Sequence, residues 1–477
     1  VSQPLTAPVL GSPEWWLRRL HRELADRIPA LDLLDDYYRG EHPLPWLAPQ
    51  AHAEFRRILR MTRSNYMGLV CDAMVERMSI EGFRLPGEDQ ADEDTWRLWQ
   101  ANDLDGDSDK GLLEAAIGGT AYTLVEPNGT DTPNIYIEHG TQAIIGYVPG
   151  SNRRKKAAGL KLWVDDWTGA LCATVDVKTT DGAWLYKFET DKPKGEVRIE
   201  NLQWRRRQVA GESWPARNTL GEVALTELPN NPRLRTGGVS EISDVLDAQD
   251  RVNKTIADRL MTQDFGAFPA LFASGYPDDE DDQPVQIGRD RMITTDVAET
   301  KWWQMTPAPL DPYSAAKQQD VHDIAARTRT PAQYLLGEMS NVNGETLKAS
   351  ESGLVSKVRQ RMRSFSEGFE ETMRLARQAA GLASPDEIET IWRNPEFRTE
   401  AEVSDAAVKQ LAAGIRDLRS AREFVGLSQA EIAQMEAREE AAAADPTLQA
   451  IARDLINASA PTAPPTGAPG GTPAVGG

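Results

Sequence analysis

Two acidic stretches have the residue types and spacing for chemistry. In DLDGDSDKGLLE (103–114), Asp103, Asp105, Asp107, Asp109 and Glu114 fall at positions one, three, five, seven and twelve of a calcium-loop pattern. Position six is Ser108, where the sharp turn of such a loop needs glycine. The acids are therefore read as capping and favouring the N-terminus of a following helix. In LWVDDWTG (162–169), Asp165 and Asp166 lie between Trp163 and Trp167, a pairing that would suit acid and base work on a glycan. Adjacent strand residues point to opposite faces, so these carboxylates would not converge on one bond, and an Asp-rich turn is the better reading. The five histidines (His21, His42, His52, His139, His322) are scattered, and Cys71 and Cys172 have no metal-ligand spacing and read as buried small hydrophobes. No GxxxxGK[ST], GxGxxG after a strand, HExxH or GxSxG occurs. No catalytic residue, metal site or cofactor is expected.

The elements that would position any site alternate in type. Residues 13–39 carry Trp16, Leu17, Leu20, Leu24 and Ile28 at helical spacing, with Pro13 in the first turn. Residues 51–79 read as a further helix, and 91–103 and 108–118 as short ones. From 120 to about 228 the chain is rich in β-branched and aromatic runs punctuated by DDWTG and TTDG, the pattern of an antiparallel meander. The basic clusters RRKK (153–156) and WRRR (204–207) within it read as solvated loop or edge-strand charges, or else as inter-subunit ion-pair partners. Helical periods return at 241–264 and 312–329, bracketing a stretch with the acidic run YPDDEDDQP and the strand-like pieces RMITTD and TKWWQM. A loop, LLGEMSNVNGETLKAS (335–350), leads into a long helix, and two or three small helices follow over 400–440. The Pro/Gly/Ala-rich tail from about 459 reads as disordered.

At 477 residues the chain is long enough for about three folding units. Its 53 basic and 73 acidic residues leave a formal charge of -20, which argues against a high-affinity nucleic-acid coat or a polybasic membrane anchor. The opening VSQPLTAPVLGSPEWWLRRL does not read as a signal peptide, and no run approaches the ~18 apolar residues of a membrane span. A soluble protein made in a reducing compartment is expected. The fold class is α+β. Two rods, of which one of about 23 residues spans roughly 35 Å, joined by a small β module would make a projecting stalk. Ile242, Val245, Val252 and Ile256 on the first rod form an apolar seam. Val355, Val358, Met362, Phe365 and Phe369 form another on the long helix, with Lys357, Arg359, Arg361 and Arg363 outside it. Neither rod would bury its seam by itself, so identical neighbours in a closed ring are expected to cover them.

Several stretches in order resemble the portal proteins (head–tail connectors) of long-tailed phages of Gram-positive hosts. They are YYRGEHPLPW (37–46), NYMGLVCDAMVERMSIEGFR (65–84), WQANDLDGDSDKGLLEAAIGGTAYTLV (99–125) and NPRLRTGGVSEISDVLDAQDRVNKTIADRL (231–260). IAARTRTPAQYLLGEMSNVNGETLKASESGLVSKVRQRM (324–362) and DAAVKQLAAGIRDLRSAREFVGLSQAEI (405–432) complete the set. The resemblance implies a wing (1–235), a first stem helix (236–267), a small α/β clip (268–311), a second stem helix and elbow (312–336), a channel loop (337–348), a long inner helix returning to the wing (349–399), a helical crown (400–444) and a tail (445–477). It implies a ring of about twelve copies at one capsid vertex, through which double-stranded DNA is packaged and ejected. The implied partners are the terminase large subunit, a head-completion or adaptor protein, the major capsid and scaffolding proteins, and transient non-specific DNA, with no membrane. The product would be a virion component made in the host cytoplasm. Asn341, Asn343, Thr346 and Lys348 would face the channel as small polar groups with one point charge, and Asp278, Asp279, Glu280, Asp281 and Asp282 would be a docking patch on the clip or a solvated turn. The other readings are an Asp-based metal-dependent nuclease or glycan hydrolase, or another minor capsid or tail component.

Overall fold

The computed structural model describes residues 9–45, 59–88, 90–191, 202–234, 237–267, 271–274, 301–304, 306, 308–337, 344–396, 400–427 and 429–444. Two compact units divide the chain, Val1–Phe397 and Arg398–Gly477.

The first unit opens with α1 (Pro13–Arg39), whose start is fixed by Pro13 and by Ser12, whose Oγ accepts from the Trp15 N–H at 3.2 Å. Residues 59–61 are helical, but the expected continuous helix is broken before α2 (Met67–Val75). The break has a local cause. Asn65 Oδ1 accepts from the Met67 and Gly68 N–H groups at 3.1 and 3.2 Å, so its side chain starts a new helix instead of continuing the old one. Next come β1 (Ile80–Arg84), α3 (Glu93–Gln100) and α4 (Leu104–Gly118). The last begins a turn earlier than its sequence suggests, because Asp103 adopts φ 54° and turns the chain directly into it.

The β region holds β2 (Thr120–Glu126), β3 (Asn134–Glu138), β4 (Ala143–Tyr147), β5 (Lys156–Val164), β6 (Ala170–Thr179), β7 (Gly182–Asp191), β8 (Arg205–Arg206), β9 (Ala216–Asn218) and β10 (Leu225–Pro229). Strands β4-β5-β6-β7-β8 run as the expected antiparallel meander, with β9 also on β7. A separate sheet, β10-β2-β3, forms because β10 returns to pair with β2. Trp16, Leu17, Leu20 and Leu24 of α1 cover one face of the meander, against Ile144, Leu160, Val175, Phe188 and Trp204.

Two helices, α5 (Leu246–Ala267) and α6 (Asp311–Thr328), bracket the antiparallel pair β11 (Leu271–Ser274) and β12 (Lys301–Gln304). They are pinned side by side by Arg251, which meets Asp320 at 3.1 Å and Asp323 at 3.3 Å. After α7 (Ala332–Leu336), the long α8 (Gly344–Ala379) crosses the body, and β13 (Glu389–Trp392) pairs with β1.

The apolar seams are core, which corrects the expectation that neighbouring copies cover them. Ile242, Val245, Val252 and Ile256, and Val355, Val358, Met362, Phe365 and Phe369, are all buried within the single chain. All but Val355 belong to one cluster with Met67, Val70 and Met74 of α2, Leu112 of α4, Leu228 of β10 and Ile324 of α6. The physical reason is topological. The α8 helix packs on β10, β2, β13, α2 and α3, and α5 packs on α6, so other elements of the same chain screen both seams from water before any second copy arrives.

Among its described residues the second unit holds α9 (Glu400–Ala412), α10 (Leu418–Val425) and α11 (Gln429–Ala444). Asp417 caps α10 by accepting from the Ser420 N–H at 2.9 Å, and Arg419 and Arg422 pair with Glu436 and Glu439 of α11.

Candidate functional site

The elements that bracket the expected channel are anchored to the body by buried polar groups, and the strongest anchor centres on Glu241. Its Oε1 accepts from Arg361 Nε at 2.5 Å and Asn230 Nδ2 at 3.0 Å, and Lys357 Nζ lies 3.4 Å from Oε2. The same Lys357 donates to the Thr328 carbonyl at the end of α6, at 2.8 Å, and Arg361 also reaches Asn231. The Glu241 N–H donates to the Ala116 carbonyl of α4. Glu241, through its carboxylate, its backbone N–H and its partner Lys357, thus ties together α4, the 230–241 linker, α6 and α8. Burial works against its ionisation, but the Lys357 and Arg361 charges, with donors from Arg361 and Asn230, hold it below the ordinary carboxylate range.

Three further anchors repeat the device. Gln249 and Asn253 of α5 meet the 62–66 turn, Gln249 Oε1 accepting from the Tyr66 N–H at 3.0 Å and Asn253 Oδ1 from the Ser64 N–H at 3.0 Å. His42, kept neutral mainly by burial and then by Arg63, stacks on Tyr37 and lies 2.5 Å from Asn253 Nδ2, while the Tyr37 hydroxyl donates to Asp250. Arg77 and Tyr334 both reach Glu351, at 3.2 and 2.5 Å. Arg377 closes on Asp92 at 2.5 Å and Thr95 at 2.8 Å, and Asp92 also caps α3.

The backbone makes a matching close contact. Asn230 donates to the Gly119 carbonyl at 2.9 Å, and the Val239 N–H donates to the Asn230 carbonyl at 2.7 Å. A Cβ on Gly238 would stand 1.9 Å from the Gly119 carbonyl oxygen, so the linker can lie on the α4–β2 corner only without a side chain there.

The sequence-derived positions fare unevenly. Asp278, Asp279, Glu280, Asp281, Asp282, Asn341 and Asn343 lie outside the described residues, as do His52 and the tail beyond 444. Thr346 and Lys348 stand in the first turns of α8 rather than in a loop, since GETLKAS is rich in helix formers. Lys348 is exposed. The acidic stretch at 103–114 is dispersed: Asp105 accepts from Trp99 Nε1, Asp107 pairs with Lys110, and Glu114 pairs with His139. Among the described residues no group of His, Cys, Asp and Glu is placed to hold a metal ion. Asp165 caps its own turn, accepting from the Trp167 and Thr168 N–H groups, and these bonds, Trp167 foremost, lower its pKa.

The basic clusters divide: Arg154, Lys155 and Arg206 are exposed, as the solvated reading expects. Arg153 pairs with Glu227 at 2.6 Å, Lys156 with Glu371 of α8 at 2.7 Å, Arg205 with Glu189 across the β7–β8 pairing at 2.9 Å and Arg207 with Asp165 at 3.6 Å, all within the chain. Glu241 had no sequence signal, as it precedes an apolar repeat like any linker acid. The Lys357/Arg361 pair, one turn apart on one face, was the available hint.

Residues 17–445 match the family described as phage portal protein, SPP1 Gp6-like. The chain belongs to the phage portal protein family. A portal protein of Mycobacterium phage D29 is 30% identical over 470 residues, covering 92% of each chain. One of Mycobacterium phage L5 is 29% identical over 396 residues, covering 78% of this chain and 77% of its own. Two solved chains are also similar. One, from the neck of a native GTA particle computed with C12 symmetry, is 13% identical with a TM-score of 0.39, covering 80% of this chain and 95% of its own. The other, from the neck of an empty GTA particle computed with C6 symmetry, is 12% identical with a TM-score of 0.43, covering 81% and 95%. Phage portal proteins are structural virion components, so this chain is not an enzyme. Among the described residues no helix is long and apolar enough to cross a membrane.

Proposed function

We propose that copies of this chain close a ring of about twelve at one capsid vertex, through which phage DNA enters and later leaves. The observation that carries this is the family match across 17–445, which covers most of both units. In this reading 1–235 is the wing, α5 and α6 are the stem, 268–311 is the clip, α8 is the inner helix and 400–444 is the crown. The 22 residues of α5 give a rod of about 33 Å, with the β11–β12 pair at its far end. The clip acids 278–282 are the docking patch for the terminase large subunit and then for a head-completion protein. The capsid and scaffolding proteins surround the wing, and the protein is made in the host cytoplasm.

An acidic ring suits passage better than storage. Each phosphate neutralised by a lysine or arginine adds affinity and salt-sensitive friction. At -20 per chain, contacts with DNA must be few and mobile. Asn341, Asn343, Thr346 and Lys348, at and before the start of α8, supply one point charge per copy. Lys348→Ala is expected to assemble as wild type while lowering the yield of DNA-filled particles several-fold. Filled particles at the wild-type yield, counted by electron microscopy of lysates, would contradict the channel assignment.

A further inference from the structure

We propose that Trp167 of one copy inserts into the cleft between the six-stranded and three-stranded sheets of a neighbouring copy, its indole N–H donating to Asp176. The proposal rests on the ring reading above. Two features that the fold alone does not use explain each other. Trp167, at the tip of the β5–β6 hairpin, is 99% exposed, yet its backbone is fixed by Asp165, whose Oδ1 accepts from the Trp167 N–H at 3.0 Å and whose carbonyl accepts from the Gly169 N–H at 2.7 Å. A large apolar side chain is thus presented to water from a fixed turn, the pattern of an interface anchor.

The second feature is a cleft of about 500 Å³ walled by Leu124, Val125, Trp163, Leu185 and Leu225. Asp176 also lines it and is 4% exposed. Its Oδ2 accepts from the Ala224 N–H at 2.9 Å and from Asn218 Nδ2 at 2.8 Å, whereas its Oδ1 has no hydrogen-bond partner. A buried carboxyl oxygen left without a donor is costly. Burial raises this carboxyl to about 7, against the pull of those two donors and Lys156. An apolar slot ending in an acceptor fits indole, which has a broad apolar body and a single N–H that only donates.

The cleft walls also suit an aromatic ring. Lys161, Lys187 and Arg207 line the cleft beside the acids Glu126 and Glu138, and each pairs within its own chain, with Glu138, Glu212 and Asp165. Lys161 and Arg207 already lie over the Trp163 ring, so the slot offers cations to a second π face. Trp167 cannot reach the Asp176 of its own chain. Asp176 pairs with Gly159 in register, and six residues of strand, roughly 20 Å, separate that level from Asp165. The donor must come from another copy, and head-to-tail insertion is the contact type that closes rings.

The test uses the full chain. Trp167→Ala is expected to raise the protomer concentration needed for ring assembly by about 30-fold, the equivalent of a 2 kcal/mol anchor, and Trp167→Phe, which keeps bulk but loses the N–H, by less. Trp167→Cys combined with Leu185→Cys, oxidised at a concentration where rings form, is expected to give a ladder of cross-linked chains on a non-reducing gel, with neither single variant doing so. Native Cys71 and Cys172 are buried and do not compete. Rings of Trp167→Ala at the wild-type concentration, or no cross-link within assembled rings, overturn the contact and leave the ring reading standing. Cross-linked dimers with nothing longer indicate reciprocal pairing and also overturn it. A wild-type chain that forms no ring at any concentration overturns both.

Discussion

Gly238→Ala is expected to destabilise the first unit by about 3 kcal/mol or more, at the upper end of overpacking costs. The added Cβ would meet the Gly119 carbonyl oxygen at 1.9 Å, the Thr120 Oγ1 at 2.4 Å and the Gly119 carbonyl carbon at 2.8 Å. Two of those atoms are backbone, so no rotamer change relieves the contact, and the linker must lift away. Lifting it breaks the Asn230–Gly119 and Val239–Asn230 hydrogen bonds and draws Glu241 off α4. Gly106→Ala is the control. It lies inside α4 with nothing within 4 Å of a built Cβ, and is expected to be neutral or to stabilise by about 0.5–1 kcal/mol. Denaturant midpoints of the purified chains check both, and a Gly238→Ala chain as stable as wild type would show that the linker is free to move.

Glu241→Gln is expected to cost about 3–5 kcal/mol, the range for removing one partner from a buried ionic group. The substitution leaves Lys357 and Arg361 buried with no anion between them. Replacing all three, Glu241→Leu with Lys357→Met and Arg361→Met, is expected to recover most of the loss, since an apolar cluster has no desolvation cost to offset. The pH dependence has a definite sign. The folded state holds the Glu241 carboxyl below its ordinary 4.5, so its contribution is complete above that value and is lost as the pH falls through the folded value. Acid unfolding is therefore expected to weaken wild type toward the Glu241→Gln variant, with the two curves converging at low pH. A constant gap between them down to pH 2 would contradict the assignment.

Much of the architecture was legible from periodicity and capping. Pro13, the Trp16–Leu24 spacing and the turn glycines identified α1 and the meander, because these are local signals that packing then reinforces. Partner choice was not legible. The β10 return to β2 is a long-range pairing that no local pattern encodes, and it moves Glu227 opposite Arg153. The seams of α5 and α8 have a rod's periodicity, but spacing says only that a face is buried, not by what. Glu241 escaped notice because a buried acid and an exposed linker acid are the same letter until Lys357 and Arg361 arrive from more than a hundred residues away.

With the seams enclosed by their own chain, the ring rests on family membership rather than on unsatisfied rods. Negative-stain electron microscopy of the purified full-length chain tests it most directly. The expected result is closed, uniform rings with a central opening wide enough for a duplex, about 20 Å or more. A field of solitary particles at every concentration and salt tried would contradict it.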